Sequence, residues 1–154
     1  MRICHFNEYL RDSVTKQEEE YFMVYGYGDV EYGELKDLSK HLLYKRIVEW
    51  TKDKLVLEDG TIVTIETSEQ DCCAGAWGEF SDVELQAVIT NVEIGEKVNI
   101  PDDDTTVNQV KIVLYHNQNP VAQAEVTANA GNGGYYYSVG SLVVNGIHFP
   151  VVDA

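Results

Sequence analysis

Residues 54–67, Lys54-Leu55-Val56-Leu57-Glu58-Asp59-Gly60-Thr61-Ile62-Val63-Thr64-Ile65-Glu66-Thr67, read as two β-rich runs joined at Asp59-Gly60. Leu, Val, Ile and Thr fill both arms, and such side chains suit a pleated, half-buried surface. Asp-Gly between two runs of this kind predicts a type I′ hairpin turn, whose two central residues need φ > 0. A lone hairpin is marginal in water, so neighbouring segments must complete the sheet.

Downstream, Val107–His116 alternates as a strand, Asn117-Gln118-Asn119-Pro120 turns, and Val121–Ala128 returns. Asn145-Gly146 repeats the hairpin signal between Tyr135–Val144 and Ile147–Val152. Gln70–Phe80 is a crossing segment. Ser81 either caps a short helix through Asp82, Val83, Glu84 and Leu85 or leads straight to a strand at Ala87–Ile94. Upstream, Arg46–Thr51 reads as a strand. Before it, Glu34–Tyr44 places Leu35, Leu38 and Leu42 at i, i+3 and i+7, which predicts an amphipathic helix. Lys40, His41, Lys45 and Arg46 put positive charge at its C-terminal end, where the helix dipole favours it. Tyr21–Tyr27 suggests a further strand. The expectation is one domain over 1–154, with 1–33 an extension carrying a strand and 34–154 a helix plus a β-rich core. Its class is α+β, mainly antiparallel sheet of about seven strands with one or two short helices.

Charge narrows the partners. The 154 residues hold 11 Lys plus Arg against 26 Asp plus Glu, a net of −15. Residues 66–104 alone carry eleven acidic side chains against Lys97. Such a surface repels nucleic acid and anionic membranes and attracts basic ones over about 8–10 Å. Direct DNA or RNA binding is excluded on this ground. No apolar run approaches the roughly 20 residues that a membrane helix needs, and the N-terminus lacks the apolar core of a secretory signal, so a cytoplasmic location is expected.

Cys4, Cys72 and Cys73 are odd in number and two are adjacent, which does not make a disulfide framework. Nothing has zinc-ligand spacing, so no metal and no cofactor are expected. Asp71-Cys72-Cys73 reads as structural, with small buried thiols. A catalytic cysteine would need a base such as His41 or His116, and acidic surroundings disfavour the thiolate.

Several of these features occur in a familiar order. The helix ends in Leu42-x-x-Lys45-x-Ile47, and Leu57-Glu58-Asp59-Gly60-Thr61 follows. Glu69-Gln70-Asp71-Cys72-Cys73 comes next, then Asn132-x-x-Tyr135-Tyr136. This order, over about residues 35–145, resembles a family of small domains of unknown function found in bacteria and their phages. Asp71-Cys72-Cys73 is its distinctive element, and residue 74 is Ala where an acidic residue is usual. The resemblance implies a fold and a phage or mobile-element setting, with no activity attached.

Two candidate surfaces follow. The first is acidic and would meet a basic host protein, one that ordinarily binds nucleic acid and serves defence, through Glu79, Asp82, Glu84, Glu93, Glu96, Asp102, Asp103 and Asp104. The second is a loop, Asn132, Gly133, Gly134, Tyr135 and Tyr136, whose glycines and aromatic faces would suit a nucleotide-like small molecule. The expected function is therefore non-enzymatic inhibition of such a host protein. Sequestration of a small signal is the alternative and cysteine-dependent catalysis the third reading.

Overall fold

The hairpin at 54–67 forms, but around a different turn. In the computed structural model, which describes residues 30–154, Gly60 has φ +86° while Asp59 has no positive φ. Gly60 N–H donates to the Leu57 carbonyl at 2.9 Å, and Leu57 N–H donates to the Thr61 carbonyl at 2.8 Å. This is a three-residue loop with glycine in the left-handed position, not a type I′ turn. The Asp59 carboxylate selects it by accepting from Thr61 N–H at 3.0 Å and pairing with Lys45 Nζ at 3.0 Å. Asn145 (φ +49°) and Gly146 (φ +82°) do form the expected two-residue turn with φ > 0 at both positions.

The described elements are β1 (Glu31–Tyr32), a 3-10 turn (Leu35–Asp37), α1 (Leu38–Leu42), β2 (Ile47–Thr51), β3 (Lys54–Leu57), β4 (Ile62–Gln70) and β5 (Gly75–Ser81). They continue with β6 (Asn91–Ile94), β7 (Val98–Ile100), β8 (Val107–His116), β9 (Asn119–Asn129), a 3-10 turn (Asn132–Gly134), β10 (Ser138–Val144) and β11 (Ile147–Asp153). One sheet runs β1-β11-β10-β4-β3-β2, antiparallel except where β1 joins β11. The other runs β5-β9-β8-β6, with β7 also on β8. Mainly antiparallel sheet with a short helix matches the expected class, but the described residues hold eleven strands rather than seven. The strand expected at Tyr21–Tyr27 lies outside the described residues.

The sheets face each other across one core. Leu55, Val63, Leu142 and Phe149 come from the first sheet and Phe80, Ile112 and Val126 from the second, while Leu38 and Leu42 of α1 join them. Gly140 of β10 shows how closely the layers approach. A methyl group there would meet Val126 Cγ1 at 2.8 Å and Ala76 Cβ at 3.1 Å, inside ordinary carbon contact.

Four local expectations are corrected. The helix is only five residues long, and Leu35, placed on its apolar stripe, is 37% exposed in the preceding turn. The helix stops at Leu43, whose backbone is already extended (φ −64°, ψ 141°), and Tyr44 then turns left-handed (φ +64°) and donates its N–H to the Ile89 carbonyl at 2.7 Å. Residues 82–85 form no helix, since Asp82 (φ +52°) and Gln86 (φ +70°) break the chain. Tyr135–Tyr137 precede β10 rather than open it, and they run across the sheet end as Asp71 N–H bonds the Tyr137 carbonyl at 2.9 Å. The crossing segment contains strand β5. Its Gly75 and Gly78 and its lack of β-branched residues hide it in the sequence, yet at Gly78 the Glu125 carbonyl and Ile65 leave no room for a side chain.

Candidate functional site

The passage from β4 to β5 moves the chain from one sheet to the other and builds the site. Cys72 takes a left-handed φ of +49°, and Ala74 N–H donates to the Asp71 carbonyl at 2.9 Å, closing a tight turn. Just before the strands part, Thr67 Oγ1 donates to the Ala76 carbonyl at 2.6 Å and accepts Ala76 N–H at 3.2 Å. A side chain thus satisfies backbone groups that neither sheet pairs. The turn delivers Cys73 to the surface, and β5 then presents Trp77 outward, 54% exposed.

Opposite this turn lies the glycine loop. The hydroxyl of Ser138, fully buried, lies 2.9 Å from both the Gly75 and the Asn129 carbonyl oxygens, with one proton to share between them, and so joins β5, β9 and β10. Asn129 Oδ1 accepts Gly131 N–H at 2.7 Å, and Gly131 (φ +74°) lies against Cys73 Sγ and Ala74 N. Only glycine fits there, on both conformational and steric grounds. The loop closes on Cys73, whose Sγ accepts Asn132 N–H at 3.3 Å.

The third wall is the loop between β7 and β8, where Asp102 Oδ1 accepts Asp104 N–H at 2.8 Å. The three walls enclose a cleft of about 760 Å³, bordered by Cys73, Trp77, Asp102–Asp104, Asn129 and Gly131–Gly133. Segments read separately in the sequence, around residues 73, 103 and 132, therefore meet. Trp77, the aromatic wall, had no signal of its own, because its role depends on which face of β5 points outward.

The other acidic residues scatter. Glu79 follows Trp77 on the outward face of β5 and lies directly across from Glu125 of β9. Asp82 accepts from Gln123 Nε2 at 3.3 Å. Glu93 faces Tyr115, whose phenol is held above its ordinary pKa first by burial and then by this carboxylate. Glu96 is exposed, and Glu84 borders a separate cleft of about 760 Å³ with Arg46, Leu85 and His116. Of the ligand loop, Asn132 and Gly133 border the acidic cleft. Gly134, Tyr135 and Tyr136 are not among its walls, and Tyr135 is 87% exposed.

The expectation of small buried thiols is corrected. Cys73 is exposed and free, and Cys72 is half-buried and disulfide-bonded. None of the described histidines, His41, His116 and His148, borders the Cys73 cleft. Sequence reading missed a polar cluster on the first sheet, where Ser68 Oγ lies 2.5 Å from Ser141 Oγ and 2.7 Å from His148 Nδ1. Among the described residues, no group of three or more His, Cys, Asp or Glu could hold a metal ion, and no helix is long and apolar enough to cross a membrane.

No curated protein and no solved structure matches the chain. The sequence profile of DUF7448, a domain of unknown function, matches residues 40–143, which span α1 through β10 and include every wall of the acidic cleft. The match takes in more than half of the 154 residues, and the chain belongs to this family.

Proposed function

We propose that the domain is a non-enzymatic acidic binding protein that docks on a basic, normally nucleic-acid-binding surface of a host protein and so inhibits it. The carrying observation is the convergence of Asp102, Asp103 and Asp104 with exposed Trp77 on one cleft. Three carboxylates attract a Lys or Arg side chain, and an indole face adds a cation–π contact of about 0.5–2 kcal/mol. Gly131 and Gly133 line the same cleft without side-chain bulk, so a partner's backbone can come close. The net charge of −15 supports the same reading, because it steers basic partners toward the protein and repels their nucleic acid competitors. The phage or mobile-element setting rests on the sequence resemblance.

The same geometry weighs against the small-molecule alternative in its nucleotide form. The glycine loop opens onto carboxylates, and among the described residues no Lys or Arg lines the cleft. The test is capture of partners from a host lysate at about 50 mM and about 500 mM salt, followed by titration of the purified partner. Binding should weaken steeply with salt, and D102N/D103N/D104N should flatten that dependence while the fold is kept. Salt-independent binding retires the proposal.

A further inference from the structure

The outward face of the second sheet continues from the acidic cleft and carries its own pattern. Strand pairing aligns Trp77, Thr127, Gln109 and Val98 in one row across β5, β9, β8 and β7. Trp77 and Val98, at the ends of this row, are 54% and 55% exposed, and Ile100, beside Val98 in the neighbouring row, is 37% exposed. Gln109 lies flat between them, donating to Thr127 Oγ1 at 3.1 Å and Glu125 Oε1 at 2.9 Å. One flank of the row is the Asp102–Asp104 loop. The other is the Glu79–Glu125 pair, where like charges sit directly opposite each other at a cost to the sheet, offset in part by Lys111 across from Glu125.

We infer that this face is the docking site of a basic amphipathic helix of the partner, one apolar stripe bordered on both sides by Lys or Arg. This rests on the proposed function and names the partner element. Rows on one sheet face lie two residues apart, about 6.8 Å, so the Ile100 row stands roughly 14 Å from the Glu79–Glu125 pair and the Asp102–Asp104 loop follows beyond it. An α-helix with its side chains is about 10–12 Å across and fits between them. The row crosses three strand spacings, about 14 Å, which is the length of some nine or ten helical residues. Its apolar stripe would cover Trp77, Val98 and Ile100, and its two cationic edges would meet the two acidic flanks.

The test uses the full chain and two 18-residue peptides of identical composition, built from Leu, Ala, Lys and Arg. In one the leucines form a single helical stripe between basic edges, and in the other the order is scrambled. The striped peptide should bind at least tenfold more tightly in a fluorescence anisotropy titration. V98S/I100S, which changes exposed side chains, should lower its affinity severalfold and leave the slope of affinity against salt unchanged, whereas D102N/D103N/D104N should flatten the slope. Equal binding of the two peptides overturns the helix and leaves the acidic-surface proposal standing. Failure of both to bind at low salt overturns both. If the wild-type chain sediments as a dimer that V98S/I100S dissociates, the face belongs to a second copy and the inference fails.

Discussion

Replacing Gly140 by alanine probes the close approach of the two sheets on which the site depends. The added methyl would sit 2.8 Å from Val126 Cγ1 and 3.1 Å from both Ala76 Cβ and Val152 Cγ1, against an optimal carbon separation of about 3.5–4.0 Å. Valine is stiff at χ1, so Val126 cannot easily turn aside, and β10 and β9 must move apart by several tenths of an ångström. Overpacking of this kind costs about 1–3 kcal/mol. Alanine also restricts the unfolded chain, which returns about 0.4–1 kcal/mol. The net expectation is a destabilisation of about 1–2 kcal/mol. In urea, with a slope near 2 kcal/mol/M, the midpoint should fall by about 0.5–1 M with the slope unchanged. Thermal melting should fall by about 2–8 °C. Two neighbours calibrate the result. Gly78→Ala should be worse, because its methyl collides with the Glu125 backbone carbonyl, which has no rotamer to change. Gly75→Ala should be neutral or slightly stabilising, since the nearest atom is Gln70 Oε1 at 3.9 Å. Adding Val126→Ala to Gly140→Ala should recover part of the methyl's cost beyond the sum of the single effects. A Gly140→Ala protein as stable as the wild type would refute this packing of the two layers.

Three further outcomes can be checked directly. The Asp59 carboxyl is held well below its ordinary pKa by hydrogen bonds from Thr61 and Lys45, so its contribution to stability is complete above about pH 4 and is lost as pH falls through the lowered value. Asp59→Asn should therefore move acid unfolding to higher pH and leave a smaller stability difference between the two proteins below pH 3. Tyr32 is pushed up to about 12 by burial first and then by its hydrogen bond to Glu69, so an ultraviolet pH titration should find one tyrosine ionising near that value, and Glu69→Gln should bring it down. Cys73, free and exposed, should react with a maleimide in the native state, and Cys73→Ser should leave the melting temperature nearly unchanged because the hydroxyl can still accept Asn132 N–H.

What the sequence determined by itself is local. Asn145-Gly146 favours φ > 0 at two adjacent positions, and the alternation of Val107–His116 and Val121–Ala128 exposes one apolar face to be buried. Those signals, with Leu38 and Leu42 on one helical face, made a β-rich domain with a short helix legible. The net charge set the expectation of a basic partner in the same way, since a sum of charges needs no fold. Tertiary structure decided everything that depends on residues far apart in the chain. Asp59-Gly60 carries the same dipeptide logic as Asn145-Gly146, but the carboxylate's bonds to Thr61 and Lys45 chose another turn. β5 is a strand because β9 pairs with it and Ile65 packs on it, although its own sequence argues against one. The acidic cleft is the clearest case. Cys73, Asp103 and Asn132 lie about thirty residues apart along the chain, and they share a surface only because β4 hands the chain to the second sheet and Ser138 joins the strand ends there. Side-chain pattern can say which face of a strand is buried, but which loops meet at the end of a sheet is set by strand order, and strand order is a property of the whole chain.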